Sequence, residues 1–522
     1  MTGAKFDWRD TGIILLLAFV AAGLGTASLT QGHDWGGDFA QYVHQAKSMV
    51  DQRVGEFLAE NRKMMGESSR APGPVAYPWG WPFLLSLIYR VRGVDWLAMK
   101  GLVVGFHTVT ILVIYLGLTK TLGRGGAFLI GLGLSVNPFL VSFLNQVMAD
   151  IPFAFFSSLA LLMIWAHERE PSGRPLPFCQ GIVLGCLIGF ALLFRSNGIL
   201  LLMCLALVQL RRVFLPERLG AGTRWDWAGT LRRTLAWPVS MALILPYVVA
   251  FSLVGMVGWV YPEGGASHVD RLSSISLVTL SRNIQYYGSL LLVIFEGVPG
   301  RHAWFLLMMV FAILGGCFRI RTSLSVVSYV GLTYVLYMVW PGSFQGMRHL
   351  LPVLPFVAYL ALAGFQEAVT RLPGTLQSMM IWGGRGIGIY LVAWMGTISM
   401  SNAIANLEAR RSAPEGPFTS EAQAMFDAVL HALPSHHRVI FFKPRVFHLM
   451  TGQPAIIRRS YETVPDSAMV ILYHAEDGLT WPFPATEVEA AVARGAAERI
   501  HASARFTVYL KPSRPEVESG TP

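Results

Sequence analysis

IILLLAFVAAGLGTASLTQGHDWGGDFAQYV, residues 13–43, joins an uncharged apolar run to a short polar stretch. Crossing a hydrocarbon core of about 30 Å takes about 20 apolar residues, and Ile13 to Leu29 comes close to that. The run is too long for a secretory signal and lacks a small-x-small cleavage site, so it reads as a retained first span. Gln31–Val43 is where the chain leaves the bilayer. Gly36-Gly37-Asp38 opens a helical segment there, and Asp38 is the first candidate for chemistry.

The rest of the chain fits a polytopic α-helical membrane protein. It has 522 residues, of which 53% are hydrophobic and 14% charged, against about 25% charged in soluble proteins. Mean hydropathy is +0.49. Further spans are expected at about 96–119, 125–142, 148–166, 181–194, 198–214, 235–258, 303–318, 324–340, 349–366 and 386–403, which with the first makes about 11. The net charge of +10 is not a nucleic-acid signal, because Lys and Arg collect in the cytoplasmic loops of membrane proteins. With the N-terminus cytoplasmic, the most basic loop, Arg211 to Arg233, falls inside. Trp79–Tyr89 is short and rich in Pro and Trp, and counting it as a span would put that loop outside. It therefore reads as re-entrant or interfacial.

This topology puts the loop 31–94, Asp150, a second loop at 259–302 and the C-terminus on the extracytoplasmic side. Apolar residues from Phe39 to Leu58 recur at helical spacing and suit a helix lying on the membrane surface. Residues 1–403 read as the membrane domain and 404–522 as a small soluble α/β domain. In the latter, helices are expected from Ser420, over Pro444–Thr451 and from Thr486 to about Ile500. Strands are expected at Arg438–Phe442, Ala468–Tyr473 and Arg505–Leu510. Ser420/Gln423 and Thr486/Glu489 have capping-box spacing. The four cysteines lie in or beside apolar runs, without metal-ligand spacing.

Asp38 has an ordinary reading as a helix cap and a functional one as a general base. Asp150, in FLNQVMADIPFAFF, is an acid beside hydrocarbon, where acids are costly, and its ordinary reading is again a cap. Arg195, Arg348 and His349 stand at span edges. There they either snorkel to headgroups or offer a fork to a lipid phosphate, and Arg301 and Arg271 in the second outer loop are lesser candidates. A divalent metal between the two acids is an option that the spacing does not require.

Taken in order, GGDFAQY (36–42), YPWGWPF (77–83), MADIPF (148–153) and QGMRHLLPVLPF (345–356) resemble the bacterial GT-C glycosyltransferases. Within these, the likeness is to members related to protein O-mannosyltransferases and to the lipid A aminoarabinose and galacturonic acid transferases. It covers roughly residues 10 to 400. It implies a polyprenyl-phosphate-sugar donor, a lipid, glycan or protein acceptor, and an enzyme of the bacterial inner membrane. It also implies Asp38 as base, Asp150 as second acid and a lipid-phosphate contact from Arg348; His349, Arg195, Tyr42 and Arg301 complete the set of substrate-binding candidates. Protein mannosyltransferases often carry Asp-Glu in the first loop, whereas Phe39 follows Asp38 here, so the acceptor stays open. The reaction expected is a single inverting displacement by an acceptor hydroxyl. The alternatives are a lipid-linked sugar flippase, which would need polar mid-spans, and a non-catalytic membrane scaffold.

Overall fold

The computed structural model describes residues 8–170, 176–214, 237–263, 276–340, 346–408, 415–432 and 438–512. The chain divides into two compact bodies. One holds Met1–Leu29, Lys100–Pro262 and Ser267–Leu407, and the other holds Thr30–Met99, Glu263–Ala266 and Glu408–Pro522. The second body thus joins the first outer loop to the C-terminal region.

The first body is a helical bundle of α1 (Trp8–Ala27), α5 (Trp96–Val136), α6 (Pro138–Phe143), α7 (Asp150–Glu168), α8 (Phe178–Phe194), α9 (Ile199–Phe214), α10 (Trp237–Val260), α11 (Leu277–Leu290), α12 (Arg301–Arg319), α13 (Leu324–Val339), α14 (Leu354–Thr370) and α15 (Gly374–Glu408). Among the described residues seven helices are long and apolar enough to cross a membrane, and α8, α13 and α14 are shorter apolar helices. The chain is a multi-pass membrane protein. The expected span 96–119 and the first part of 125–142 form α5, whose helical path breaks at Gly123 (φ 71°), and the rest of the second span falls in α6 after Asn137. Left-handed backbone of this kind costs glycine little.

Small residues set the helix crossings, as expected where lipid leaves no hydrophobic force between helices. Gly181, Gly185 and Gly189 line one face of α8, and a Cβ on Gly185 would stand 2.7 Å from the Pro246 carbonyl oxygen of α10. Gly315 of α12 and Gly364 of α14 meet more closely still. A Cβ on Gly315 would lie 1.9 Å from the Leu360 carbonyl oxygen.

Ion pairs of this body lie at the two ends of the bundle, while polar but uncharged side chains such as Thr110, Ser157 and Thr333 are buried within its helices. At one end Glu168 of α7 accepts from the Leu324 and Ser325 backbone N–H groups at 2.6 and 3.0 Å and pairs with Arg211 at 3.2 Å. Arg124 pairs with Asp10 at 2.8 Å, and Arg371 with Glu367 at 3.5 Å. Asp150, Arg195 and His349 lie at the other end of the same helices. The basic loop beyond Phe214 falls outside the described residues up to 236, as do residues 264–275 of the second outer loop with Arg271.

In the second body, the surface helix expected over Phe39–Leu58 is two helices, α2 (Gly37–Val50) and α3 (Val54–Glu67). They break at Gln52, which has φ 58°. Their apolar side chains Phe39, Val43, Ala46, Phe57 and Leu58 are buried in protein. Trp79–Tyr89 falls in α4 (Gly80–Arg92), packed on α2.

The C-terminal region adds α16 (Ser420–Ala432), α17 (Pro444–Thr451) and α18 (Ala485–Ala493) around strands β1 (Arg438–Ile440), β2 (Ala455–Ile456), β3 (Ala468–His474), β4 (Thr480–Trp481), β5 (Glu498–Ala502) and β6 (Phe506–Lys511). The sheet runs β2-β1-β3-β6-β5, with β4 beside β3. β1 pairs parallel with β2 and β3, and the remaining pairs are antiparallel. Along β3, Met469 and Ile471 enter a core with Phe426, Phe441 and Phe447. Val470 and Leu472 face the opposite core, which includes Met64 from the first loop. This is the two-residue alternation of a sheet covered on both faces.

Three local expectations fail here. The Thr486/Glu489 box does not form, because the N-cap of α18 is Pro484 and Thr486 lies inside the helix. Thr419, not Ser420, accepts from the Ala422 N–H. The helix expected to reach Ile500 ends at Ala493, because Gly495 turns at φ 70° and β5 follows.

Candidate functional site

Two buried polar clusters stand out, one in each body, and each is built around an aspartate at the start of a helix. Asp38 is not a cap. The N-cap of α2 is Gly36, and Asp34 accepts from the Gly36 N–H at 2.9 Å. The Asp38 carboxylate instead accepts from the Tyr77 hydroxyl at 2.5 Å. The segment carrying Tyr77 is clamped. Gln45 holds the Tyr77 carbonyl at 2.9 Å and its N–H at 3.0 Å. Gln41 and Asn61 both donate to the Val75 carbonyl. Tyr42 is buried, and its ring packs 4.7 Å from the Tyr77 ring. It therefore supports Tyr77 from beneath.

The C-terminal region contributes cations to this cluster. Arg445 of α17, 4% exposed, donates to the Tyr77 hydroxyl at 3.3 Å and to the Pro74 carbonyl. The Lys443 ammonium is within electrostatic reach of Asp38, Asp34 and Arg70. Burial pulls its pKa below the usual lysine value, and the two acids oppose that. Burial and the Asp38 charge push the Tyr77 phenol well above 10, so it stays protonated and can only donate to the carboxylate. Beside the cluster His33 bonds Asp34 at 2.7 Å and stacks on Phe39.

In the membrane body, Asp150 is the first residue of α7 and its N-cap is Ala149, so it is not a cap either. Its side chain is 0% exposed and lies 3.0 Å from Arg195, which follows α8. Arg195 also donates to His349 Nδ1 at 2.8 Å. Tyr337, near the end of α13, bonds the same nitrogen at 3.1 Å and accepts from Asn197. A guanidinium can only donate, so Nδ1 is an acceptor and the His349 proton sits on Nε2. Arg348 is half-buried in the 3-10 turn Met347–Leu350, and its charge reaches the His349 ring. Chain segments as far apart in sequence as Asp150 and His349 thus form a single hydrogen-bonded unit around Arg195, His349 and Tyr337.

Arg301 stands elsewhere. It is exposed at the start of α12 and lines a cavity of about 210 Å³ with Tyr286, Ser289 and Glu296. Among the described residues, no hydrogen bond or ion pair joins it to the Arg195 network. Nor is any group of three or more His, Cys, Asp or Glu side chains there arranged to hold a metal ion.

The residues not anticipated from the sequence are Tyr77, Lys443, Arg445, Tyr337 and Asn197. Tyr77 lies inside the YPWGWPF segment, whose Pro and Trp content reads as interfacial and gives its hydroxyl no local signature. In FFKPRVF, Lys443 and Arg445 flank the proline that opens α17. Two cations inside an otherwise apolar run were the available signal.

The architecture is that of a polytopic membrane protein carrying an α/β region. No protein-family profile matches the sequence, and no curated protein matches it. Solved structures do match. ArnT from Cupriavidus metallidurans, bound to undecaprenyl phosphate, is 14% identical with a TM-score of 0.58, over 97% of this chain and 100% of that one. The oligosaccharyltransferase AglB from Archaeoglobus fulgidus, in complex with an inhibitory peptide and a dolichol-phosphate, is 11% identical with a TM-score of 0.53, over 95% of this chain and 80% of that one. The chain shares its fold with these structures.

Proposed function

We propose that the protein is a membrane glycosyltransferase that moves a sugar from a polyprenyl-phosphate donor to an acceptor hydroxyl on the extracytoplasmic face. What carries this reading is Asp38, an acid held on the helix after the first span by a protonated tyrosine, within a fold shared with structures that bind polyprenyl phosphates. A carboxylate so held suits general-base work. It would take the acceptor proton while the acceptor oxygen attacks the anomeric carbon and polyprenyl phosphate departs, inverting that centre. Nucleotide sugars are not expected outside the cell, so an outward-facing transferase needs a lipid-borne donor.

For the departing phosphate the reading assigns Arg195 and His349, with Arg348 beside them. Asp150 holds the Arg195 fork in place, and His349 presents a neutral Nε2–H. Preorganised donors of this kind stabilise charge that develops in a transition state. The topology is supported by charge: Arg124, Arg169, Arg211, Arg212, Arg319 and Arg371 lie at the Glu168 end of the bundle. That end is therefore assigned to the cytoplasm, and the Asp150 end to the outside. A divalent metal is not needed for this scheme.

The test is purified protein with sugar-labelled polyprenyl-phosphate donors. The reading expects polyprenyl phosphate to be released with transfer of label. A flippase would move the intact lipid across vesicles without cleaving it, and a scaffold would do neither.

A further inference from the structure

The Asp38 carboxylate is gripped by a side chain that is gripped in turn from the C-terminal region. We propose that Arg445 is a positioning residue for Asp38, acting through the Tyr77 hydroxyl, so that the α/β region completes the site begun by the first outer loop. The inference rests on the reading of Asp38 as the base.

Three independent features point to a built arrangement. Arg445 is almost wholly buried, although it belongs to an eight-residue helix that could have turned it to solvent. Its Nε has no hydrogen-bond partner among the described residues, so the guanidinium is committed through its two terminal nitrogens, one to Tyr77 and one to Pro74. Gly73 makes room for it. A Cβ there would stand 2.5 Å from both terminal nitrogens, and the backbone at φ 152° already disfavours a side chain. The Arg445 guanidinium also lies 5.2 Å from the Tyr77 ring centroid, at a distance where a cation and a ring face attract.

The chemistry follows from donor and acceptor roles. A guanidinium offers donors and no acceptor, so the Tyr77 hydroxyl accepts from Arg445 and turns its own proton toward Asp38. A cation donating into a hydroxyl polarises that hydroxyl and strengthens the bond it makes in turn. The carboxylate is therefore held in one orientation by a chain that ends in a positive charge. The same packing ties Arg445 to the loop through neighbours. Trp35 stands 5.8 Å from Phe441 and 5.3 Å from Phe442 by ring centroids, and Arg438 pairs with Glu67 at 2.8 Å.

The test uses the full-length protein in lipid–detergent micelles with a panel of undecaprenyl-phosphate hexoses and pentoses, and reads release of undecaprenyl phosphate. Tyr77→Phe and Arg445→Met each lower kcat by about tenfold or more, the scale of a hydrogen bond to a charged group, while the donor KM stays within about twofold. Because Arg445 acts through Tyr77, Arg445→Met in the Tyr77→Phe background costs less than about twofold further. Should Arg445→Met fail to accumulate as folded protein, Arg445→Lys takes its place in the cycle. Wild-type kcat in Tyr77→Phe, or losses that simply multiply in the double variant, overturn the inference. An inactive Asp38→Asn beside a fully active Tyr77→Phe sinks this inference alone. A fully active Asp38→Asn sinks the base reading beneath it.

Discussion

Asp150→Asn isolates the contribution of a buried charge pair. Arg195 approaches the two Asp150 oxygens at 3.0 and 3.2 Å, and the side chains are 0% and 13% exposed. Unit charges about 4 Å apart at an effective dielectric of about 20 attract by about 4 kcal/mol. That agrees with the ~3–5 kcal/mol lost when one partner of a buried pair is removed, since the other is left uncompensated. His349 and Tyr337 soften the loss but supply no negative charge, so about 3 kcal/mol is expected. Arg195→Met should cost a comparable amount. The double variant removes both charges and should recover most of either loss. Unfolding titrations in mixed micelles with increasing SDS measure all four corners of the cycle. A loss below about 0.5 kcal/mol in Asp150→Asn, or additive losses in the double variant, would refute the argument that this pair organises the end of the bundle.

Other outcomes follow from local geometry. Gly315→Ala places a Cβ 1.9 Å from the Leu360 carbonyl oxygen, so helices α12 and α14 must separate. Folded yield should collapse, whereas Gly316→Ala, with open space around it, should accumulate normally. In the second body, burial holds His44 at a pKa of about 3 and His448 at about 4, with their rings 4.4 Å apart. A depressed folded-state value means that the unfolded chain binds protons first. Stability is therefore complete above about pH 6.5 and falls as pH drops toward 4, by up to about 1.4 kcal/mol per unit for each ring. Thermal midpoints at pH 7 and 5 should show the loss, and His448→Gln should flatten it. Trp35→Ala removes a ring that touches Phe426, Phe441, Phe442, Tyr473 and Phe506. It should destabilise the second body by about 3 kcal/mol, which differential scanning of the purified protein would register.

The membrane spans were legible because hydrocarbon imposes one requirement, about 20 apolar residues, that any sequence must show locally. Helices α1, α5, α7 to α10 and α12 to α15 overlap the expected runs, with α5 crossing from one run into the next around Gly123, whereas α11 lies in the expected second outer loop. What was not legible depended on long-range partners. Phe39 to Leu58 carries the periodicity of a membrane-lying helix, but that pattern cannot distinguish lipid from protein as the covering surface. Here Tyr77, Trp79 and the C-terminal region cover it. A boundary drawn at residue 404 follows composition, while the compact unit joins 30–99 to the C-terminal residues. Composition is a property of a segment, and packing is a property of pairs of segments. The aspartates were found because acids beside apolar runs are rare and conspicuous. The roles of Tyr77 and Arg445 depend on a contact between positions 368 apart in sequence, which no local pattern encodes.

Turnover of the Asp38→Asn variant is the most direct measurement. It replaces one oxygen by nitrogen, keeps the shape of the side chain and abolishes its capacity to take a proton. With a labelled undecaprenyl-phosphate sugar and equal amounts of folded protein, transfer should fall by a factor of about 100 to 10,000, the range over which a positioned base contributes. Transfer at the wild-type rate would contradict the assignment of Asp38 and, with it, the proposed course of the reaction.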